Sequence, residues 1–281
     1  MTTLGVVEEI HRYPVKSMLG ESVRAAEFTG AGIAGDRVWA VRDEARGDFM
    51  TGKRVAALMG CTGRPAAEAG GVPEIELPTG DVFAADDPLA SRRLSAFLGR
   101  EVTLWPCDGA PAPSPPRGTR EEANAEVAAI FARAAGEVTP DLSKIPPEFF
   151  EFIARPDSPF VDLAPLLLVT VQSIATIARA APDSTIDPRR FRPSVSILAQ
   201  EHSPFPEQGW IGRRLRAGEA EWQVRMACPR CVMTTHGFAD VPRDPTVMRR
   251  LVSEAGGDLG VYASVERGGR VGVGDIVAAI D

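Results

Sequence analysis

Two thiols flank a fixed cation in Cys228-Pro229-Arg230-Cys231, and Val232-Met233-Thr234-Thr235 follows at once. A guanidinium stays charged at any physiological pH, so Arg230 favours thiolate over thiol at a neighbouring cysteine. A thiolate is both a nucleophile and a ligand for soft metals. Packing explains the same pair equally well, because free cysteine is among the most buried residue types. Structural zinc wants four closed ligands, whereas this pair with His236 brings three, and Cys61 and Cys107 belong to the other half of the chain. A thioredoxin-type site needs its first cysteine at a helix N-terminus, yet the β-branched Val232, Thr234 and Thr235 point to extended chain. On an extended chain Cys231 and His236 project to opposite faces, which disfavours hydrolytic Cys/His catalysis.

Four cationic segments accompany the thiols. Arg12-Tyr13-Pro14-Val15-Lys16-Ser17 leaves an opening strand, with Gly20 close behind, and offers an ammonium, a hydroxyl and backbone amides to a phosphate. Gly32-Ile33-Ala34-Gly35-Asp36-Arg37-Val38-Trp39 is a glycine-punctuated turn that delivers Arg37 at the head of a strand; no helix follows, so it is not a dinucleotide fingerprint. Thr51-Gly52-Lys53-Arg54 is a second cationic corner. Asp187 to Ser194 sets three arginines in four positions, Arg189, Arg190 and Arg192, before a buried strand, a composition suited to phosphate or carboxylate capture. Each segment, taken singly, also has a reading as a solvated turn, since most charge runs face water.

The elements that carry these residues are mainly strands, giving an α+β class that is mainly β with some α. Strands are predicted over Gly5 to Ile10, Ser22 to Phe28, Val38 to Val41, Val82 to Ala84 and Val102 to Trp105, spacing that suits an antiparallel sheet or small barrel rather than βαβ units. Pro88 to Leu98 reads as the one helix of that half. Asp108 to Gly118, dense in proline, predicts a loop or linker, and Thr119 a helix start running to about Ala135. Beyond it, a buried strand is expected from Leu166, then a helix capped by Ser173, then strands over Val195 to Leu198, Arg213 to Arg216, Glu221 to Ala227, Val261 to Val265 and Ile276 to Ala279. The division is therefore 1–120 and 121–281. A chain of 281 residues with 44% hydrophobic content buries a substantial core, and a net charge of −7 excludes a general nucleic-acid or anionic-lipid binder. No targeting peptide or membrane-length apolar run is evident, so the expected setting is cytoplasmic, where four cysteines remain thiols.

In order and spacing, these segments resemble the MOSC superfamily, with an N-terminal MOSC β-barrel domain ahead of a MOSC domain. The marks are Tyr13-Pro14-Val15-Lys16-Ser17, Gly35-Asp36-Arg37 with Trp39, and Asp162-Leu163-Ala164-Pro165 with Leu168-Val169-Thr170 and Ser173. Arg190-Phe191-Arg192-Pro193, Cys228-Pro229-Arg230-Cys231 with Thr234-Thr235, and Val273-Gly274-Asp275-Ile276-Val277 complete the series. The resemblance implies an N-terminal β-barrel-like domain packed on a MOSC β-barrel with short peripheral helices. It also implies a molybdenum-pterin cofactor (Mo-molybdopterin) with Cys231 as the protein's metal ligand. Lys16, Ser17, Arg37, Thr170, Ser173, Arg192, Ser194 and Arg230 are its implied cofactor-binding residues. Where relatives often carry asparagine, Ser194 keeps one donor and loses an amide's reach.

What the resemblance implies for activity is an oxidoreductase similar to the amidoxime-reducing components, taking oxygen from N-hydroxylated or N-oxide substrates. Electrons would come from a separate flavoprotein, ferredoxin or cytochrome, because four cysteines cannot ligate a plant-type cluster as well as the metal. Two alternatives stay open: a sulfur (persulfide) or cofactor carrier using Cys231, and a thiol switch needing both cysteines. Pyridoxal phosphate binding attaches to the family only at the level of its sulfurase members. No nucleic-acid or membrane partner is expected.

Overall fold

Alternation builds the C-terminal strands. Along Ala220–Pro229, Ala220, Trp222 and Val224 are buried while Glu221, Gln223 and Arg225 between them are partly exposed, the period of a strand with one face on a core. The computed structural model describes residues 1–65, 71–112, 120–134, 136–137 and 139–280, with the backbone alone at 120–124. Seven strands close a barrel in the order Val195–Ala199, Leu166–Thr170, Asp258–Arg267, Ala220–Pro229, Arg214–Ala217, Ile276–Ala279 and Thr2–Arg12. Thr2–Arg12 closes it by pairing Ile276–Ala279 along its first half and Val195–Ala199 further on, with Gly5 opposite both Val277 and Ala199. Closure removes the exposed edges of an open sheet. Six of the seven pairings are antiparallel; Leu166–Thr170 runs parallel to Val195–Ala199, joined through the helix Val171–Ala180.

The barrel interior is one apolar cluster in which Val7, Ile10, Leu166, Val195, Trp222 and Val261 are all buried. Phe28, from the strand Ala25–Thr29, packs on Trp222 with tilted rings and centroids 5.3 Å apart, and that strand pairs with Gly269–Gly272. The expected division after residue 120 adjoins 113–119, which lie outside the described residues together with most of the predicted proline-rich loop. In space, the first strand crosses that division, because it is a stave of the barrel otherwise made by the C-terminal half.

The rest of the N-terminal half is a second β unit. Trp39–Asp43 pairs with Val102–Pro106 and Asp48–Phe49, while Thr62–Arg64, Glu74–Glu76 and Val82–Ala84 form a meander. Leu94 of the helix Ala90–Leu98 fills its core against Val41, Leu58, Ile75 and Phe83.

Several expectations need correction. The strand expected over Ser22 to Phe28 is two, Glu21–Val23 and Ala25–Thr29, interrupted at Arg24. The helix after Leu166–Thr170 is capped by Thr170, whose hydroxyl accepts from the Ser173 amide; Ser173 lies one turn inside. The predicted helix from Thr119 is observed over Arg120–Phe131, its expected ends at Thr119 and Ala135 lying outside the described residues. Two unpredicted helices carry the usual terminal signals: Pro147 opens Pro147–Ile153, and Gly256, left-handed at φ 63°, ends Thr246–Ala255. Val232–Thr235 is a 3-10 turn rather than extended chain, because the Thr234 and Thr235 hydroxyls bond back to the Cys231 and Val232 carbonyls.

Trp222 is fully buried at the centre of the barrel. Trp222→Ala is expected to destabilise the protein by about 3–5 kcal/mol, read from the midpoint of a denaturant transition.

Candidate functional site

The end of the first strand runs into Tyr13–Ser17, which is sewn to the turn before Trp39. The Lys16 amide donates to the Trp39 carbonyl at 2.8 Å, and the Arg37 amide donates to the Tyr13 carbonyl at 2.7 Å. Buried Asp36 accepts from the Tyr13 amide at 2.7 Å and from the Arg37 guanidinium. Ser17, Arg37 and Arg192 all adopt positive φ, at 67°, 52° and 51°. None is glycine, so each costs about 1–2 kcal/mol of backbone energy, and such strain persists only where the surroundings over-determine it.

These segments meet the C-terminal half around one cavity of about 330 Å³. Lys16, Ser17, Arg37, Arg192, Ser194, Arg230 and Cys231 all line it. Thr170 and Ser173 do not. Their hydroxyls donate to the buried Glu207 carboxylate at 2.5 and 2.6 Å, and the Gly260 amide donates to its other oxygen at 3.2 Å. Burial pushes the Glu207 carboxyl up, against those hydrogen bonds.

Electrostatics divide the three arginines of 189–192. Arg189 pairs with Asp187 and Asp240 near the surface. Arg190 is buried and spends its donors on the carbonyls of Thr185, Thr234, His236 and Pro242, bracing the turn behind Cys231. Arg192 faces the cavity from 4.2 Å above the Tyr13 ring and donates through Nη1 to the Met18 carbonyl, while its buried Nη2 has no partner among the described residues. Burial, reinforced by Arg37, lowers its pKa to about 10.

Lys53, from the corner that sequence reading left unassigned, completes the cationic side. Asp162 receives Lys16 at 2.7 Å and Lys53 at 3.0 Å, and Lys16 also donates to the Phe160 carbonyl at 2.8 Å. Burial opposes the Asp162 charge, yet the two ammoniums prevail and hold its carboxyl well below the ordinary range. Six basic side chains and one carboxylate line the cavity. The signal available in the sequence was that Lys53 is one of three lysines; nothing local ties it to Asp162.

The two cysteines differ. Cys228 is buried, accepts from Arg230 Nη1 at 3.1 Å and contacts the Tyr262 phenol; burial pushes its thiol up, outweighing Arg230. Arg230 thus serves Cys228 and the Phe191 carbonyl, at 2.6 Å, leaving buried Nε without a partner among the described residues. Cys231 is partly exposed at the cavity wall. His236 bonds the Gly52 carbonyl at 2.9 Å and does not line the cavity. Among the described residues there is no group of three or more His, Cys, Asp or Glu placed to hold a metal.

The segment from Arg120–Phe131 to Pro147–Ile153 adds an apolar canopy to the lining, including Val127, Ile130, Phe131, Leu142, Phe150 and Ile153.

A barrel closed by the first strand, a second β unit and a thiol among buried cations together define a two-part β architecture with a cation-lined pocket. Residues 4–87 match the MOSC N-terminal beta barrel domain and residues 156–278 match the MOSC domain, so the chain belongs to the MOSC superfamily. It is 27% identical to mitochondrial amidoxime reducing component 2 of Bos taurus across 98% of this chain and 83% of that protein. Mitochondrial amidoxime-reducing component 1 of Danio rerio is also 27% identical, over 84% of this chain and 70% of that one. The YUAD protein of Bacillus subtilis, a solved structure, aligns over 99% of this chain and 96% of that chain at 13% identity, with a TM-score of 0.45. Among the described residues no helix is long and apolar enough to cross a membrane.

Two outcomes test this geometry. Phosphate, filling the gap beside Arg192, is expected to raise the melting temperature of the protein by a few degrees at a large excess over its dissociation constant, and Arg192→Met to abolish most of that rise. Glu207 carries a raised pKa, so its native state holds a proton more readily than the unfolded chain, and its contribution to stability falls as pH rises from about 4.3 upward. Glu207→Gln should flatten that fall, as denaturation at pH 4.5 and 7 will read.

Proposed function

We propose that this protein is a molybdenum-cofactor oxidoreductase that reduces N-hydroxylated compounds. The observation that carries the reading is the excess of buried positive charge around one accessible thiol, with Arg192 Nη2 and Arg230 Nε both lacking partners among the described residues. Buried polar groups left unpaired are rare, and an anion would satisfy these. The residues fit the proposed group on chemical grounds. Arg192, Arg37 and Lys16 would hold its phosphate, Ser17, Ser194 and Arg230 would offer donors, and the Cys231 thiolate would ligate the metal. Similarity to proteins named amidoxime reducing components supports the same reading.

When bound, the cofactor supplies two-electron chemistry and an exchangeable oxygen position. The chain's own part is to orient and to insulate. Arg190 and the Thr234 and Thr235 hydroxyls fix the turn that begins at Cys231. Asp162 holds Lys16 and Lys53 in place. An amidoxime plus two electrons and two protons gives an amidine and water. The electrons come from a separate flavoprotein, ferredoxin or cytochrome.

Elemental analysis of protein expressed in a cofactor-making host, paired with benzamidoxime reduction by an artificial donor, tests this. About one molybdenum per chain is expected, with Cys231→Ser lowering activity at least about 100-fold and Cys228→Ser far less. A persulfide on Cys231 without molybdenum would instead support a sulfur carrier and overturn the reductase reading.

A further inference from the structure

The cavity walls are chemically unlike. Every described residue between 125 and 159 that lines it is apolar, whereas all its charged lining residues come from other segments of the chain. Eleven large hydrophobic residues are exposed among the described residues, and four of them lie in this canopy: Val127 at 42%, Leu142 at 39%, Phe150 at 51% and Ile153 at 37%. Solvent-facing apolar groups gathered over a cavity mark a binding surface, while scattered ones need no explanation. A pterin, edged with donors and acceptors, finds no polar side chain on this wall; an uncharged hydrocarbon body finds only partners.

We infer that the 127–153 canopy is the specificity wall of the cavity, selecting neutral substrates with an aromatic or bulky alkyl body and leaving their N–O head toward Cys231. This rests on the reductase reading and adds to it a substrate class. Small polar hydroxylamines would lack the canopy contact, and anionic substrates would compete for the cationic floor with whatever anion occupies it. Burying a large apolar group is worth at least about tenfold in affinity, so the discrimination is measurable.

The test uses the full-length protein loaded with cofactor. Binding of 2-naphthamide, an uncharged and redox-inert probe, is compared with acetamide by calorimetry, and KM for 2-naphthamidoxime with KM for acetamidoxime. Phe150→Ala with Ile153→Ala changes two exposed side chains, so folding should survive; melting temperature checks this. The expected result is tighter naphthamide binding in the parent, lost at least about tenfold in the double variant, with KM for naphthamidoxime raised alike. Turnover at saturation and all acetamidoxime constants should hold. Equal binding of the two amides, equal loss for both substrates, or a double variant slowed only in electron uptake from a donor protein would each overturn the inference. Naphthamide binding without any reductase activity would leave the canopy standing and sink the reductase reading. Reduction of both amidoximes at one KM would do the reverse.

Discussion

Everything at the site follows from a guanidinium kept under cover without a carboxylate of its own. Arg192 rests on the Tyr13 ring, gives one nitrogen to a carbonyl and leaves another unmet. Burying a charge in this way is unfavourable unless something opposite arrives, which is why its pKa is depressed, and its backbone is left-handed as well. Ser17 and Arg37 share that strained conformation, so three loops from distant parts of the chain are bent toward one point. The fold supplies the rigidity. A closed barrel gives the loops fixed roots, and the first strand belongs to both the barrel and the segment that carries Lys16.

Charge neutralisation near the thiol is shared unevenly. Asp162 answers Lys16 and Lys53 and Asp36 answers Arg37, whereas Arg230 meets the Cys228 sulfur, as a hydrogen-bond acceptor, and the Phe191 carbonyl. The first cysteine of the pair therefore acts as a buried acceptor that steadies an arginine, and the second stands at the cavity wall. That division of labour makes the C-x-x-C pattern look like a redox motif in sequence while its two sulfurs have unrelated surroundings.

Much of this was legible before any coordinates. Strands with clean alternation, such as the one ending at Cys228, lie where period and turn residues put them, since one face must meet the core. Lys16, Arg37 and Arg192 were legible as cations at strand ends. What escaped is whatever depends on partners far away in the chain. Thr170 and Ser173 sit near the site in sequence terms, yet Glu207, more than thirty residues on, draws their hydroxyls aside. Lys53 reads as a surface lysine until Asp162 is brought to it. The turn after Cys231 looked extended because β-branched residues favour strands, but threonine hydroxyls bonding backward can outweigh that preference. Arg189, Arg190 and Arg192 read as one basic patch and serve three separate purposes.

The barrel's closing stave is made before either of the strands it pairs with, Val195–Ala199 and Ile276–Ala279. Until they are made, its buried residues Val7 and Ile10 have no barrel interior to enter. A C-terminal half made alone would leave Val195–Ala199 and Ile276–Ala279 as unpaired edges, open to strands of another copy.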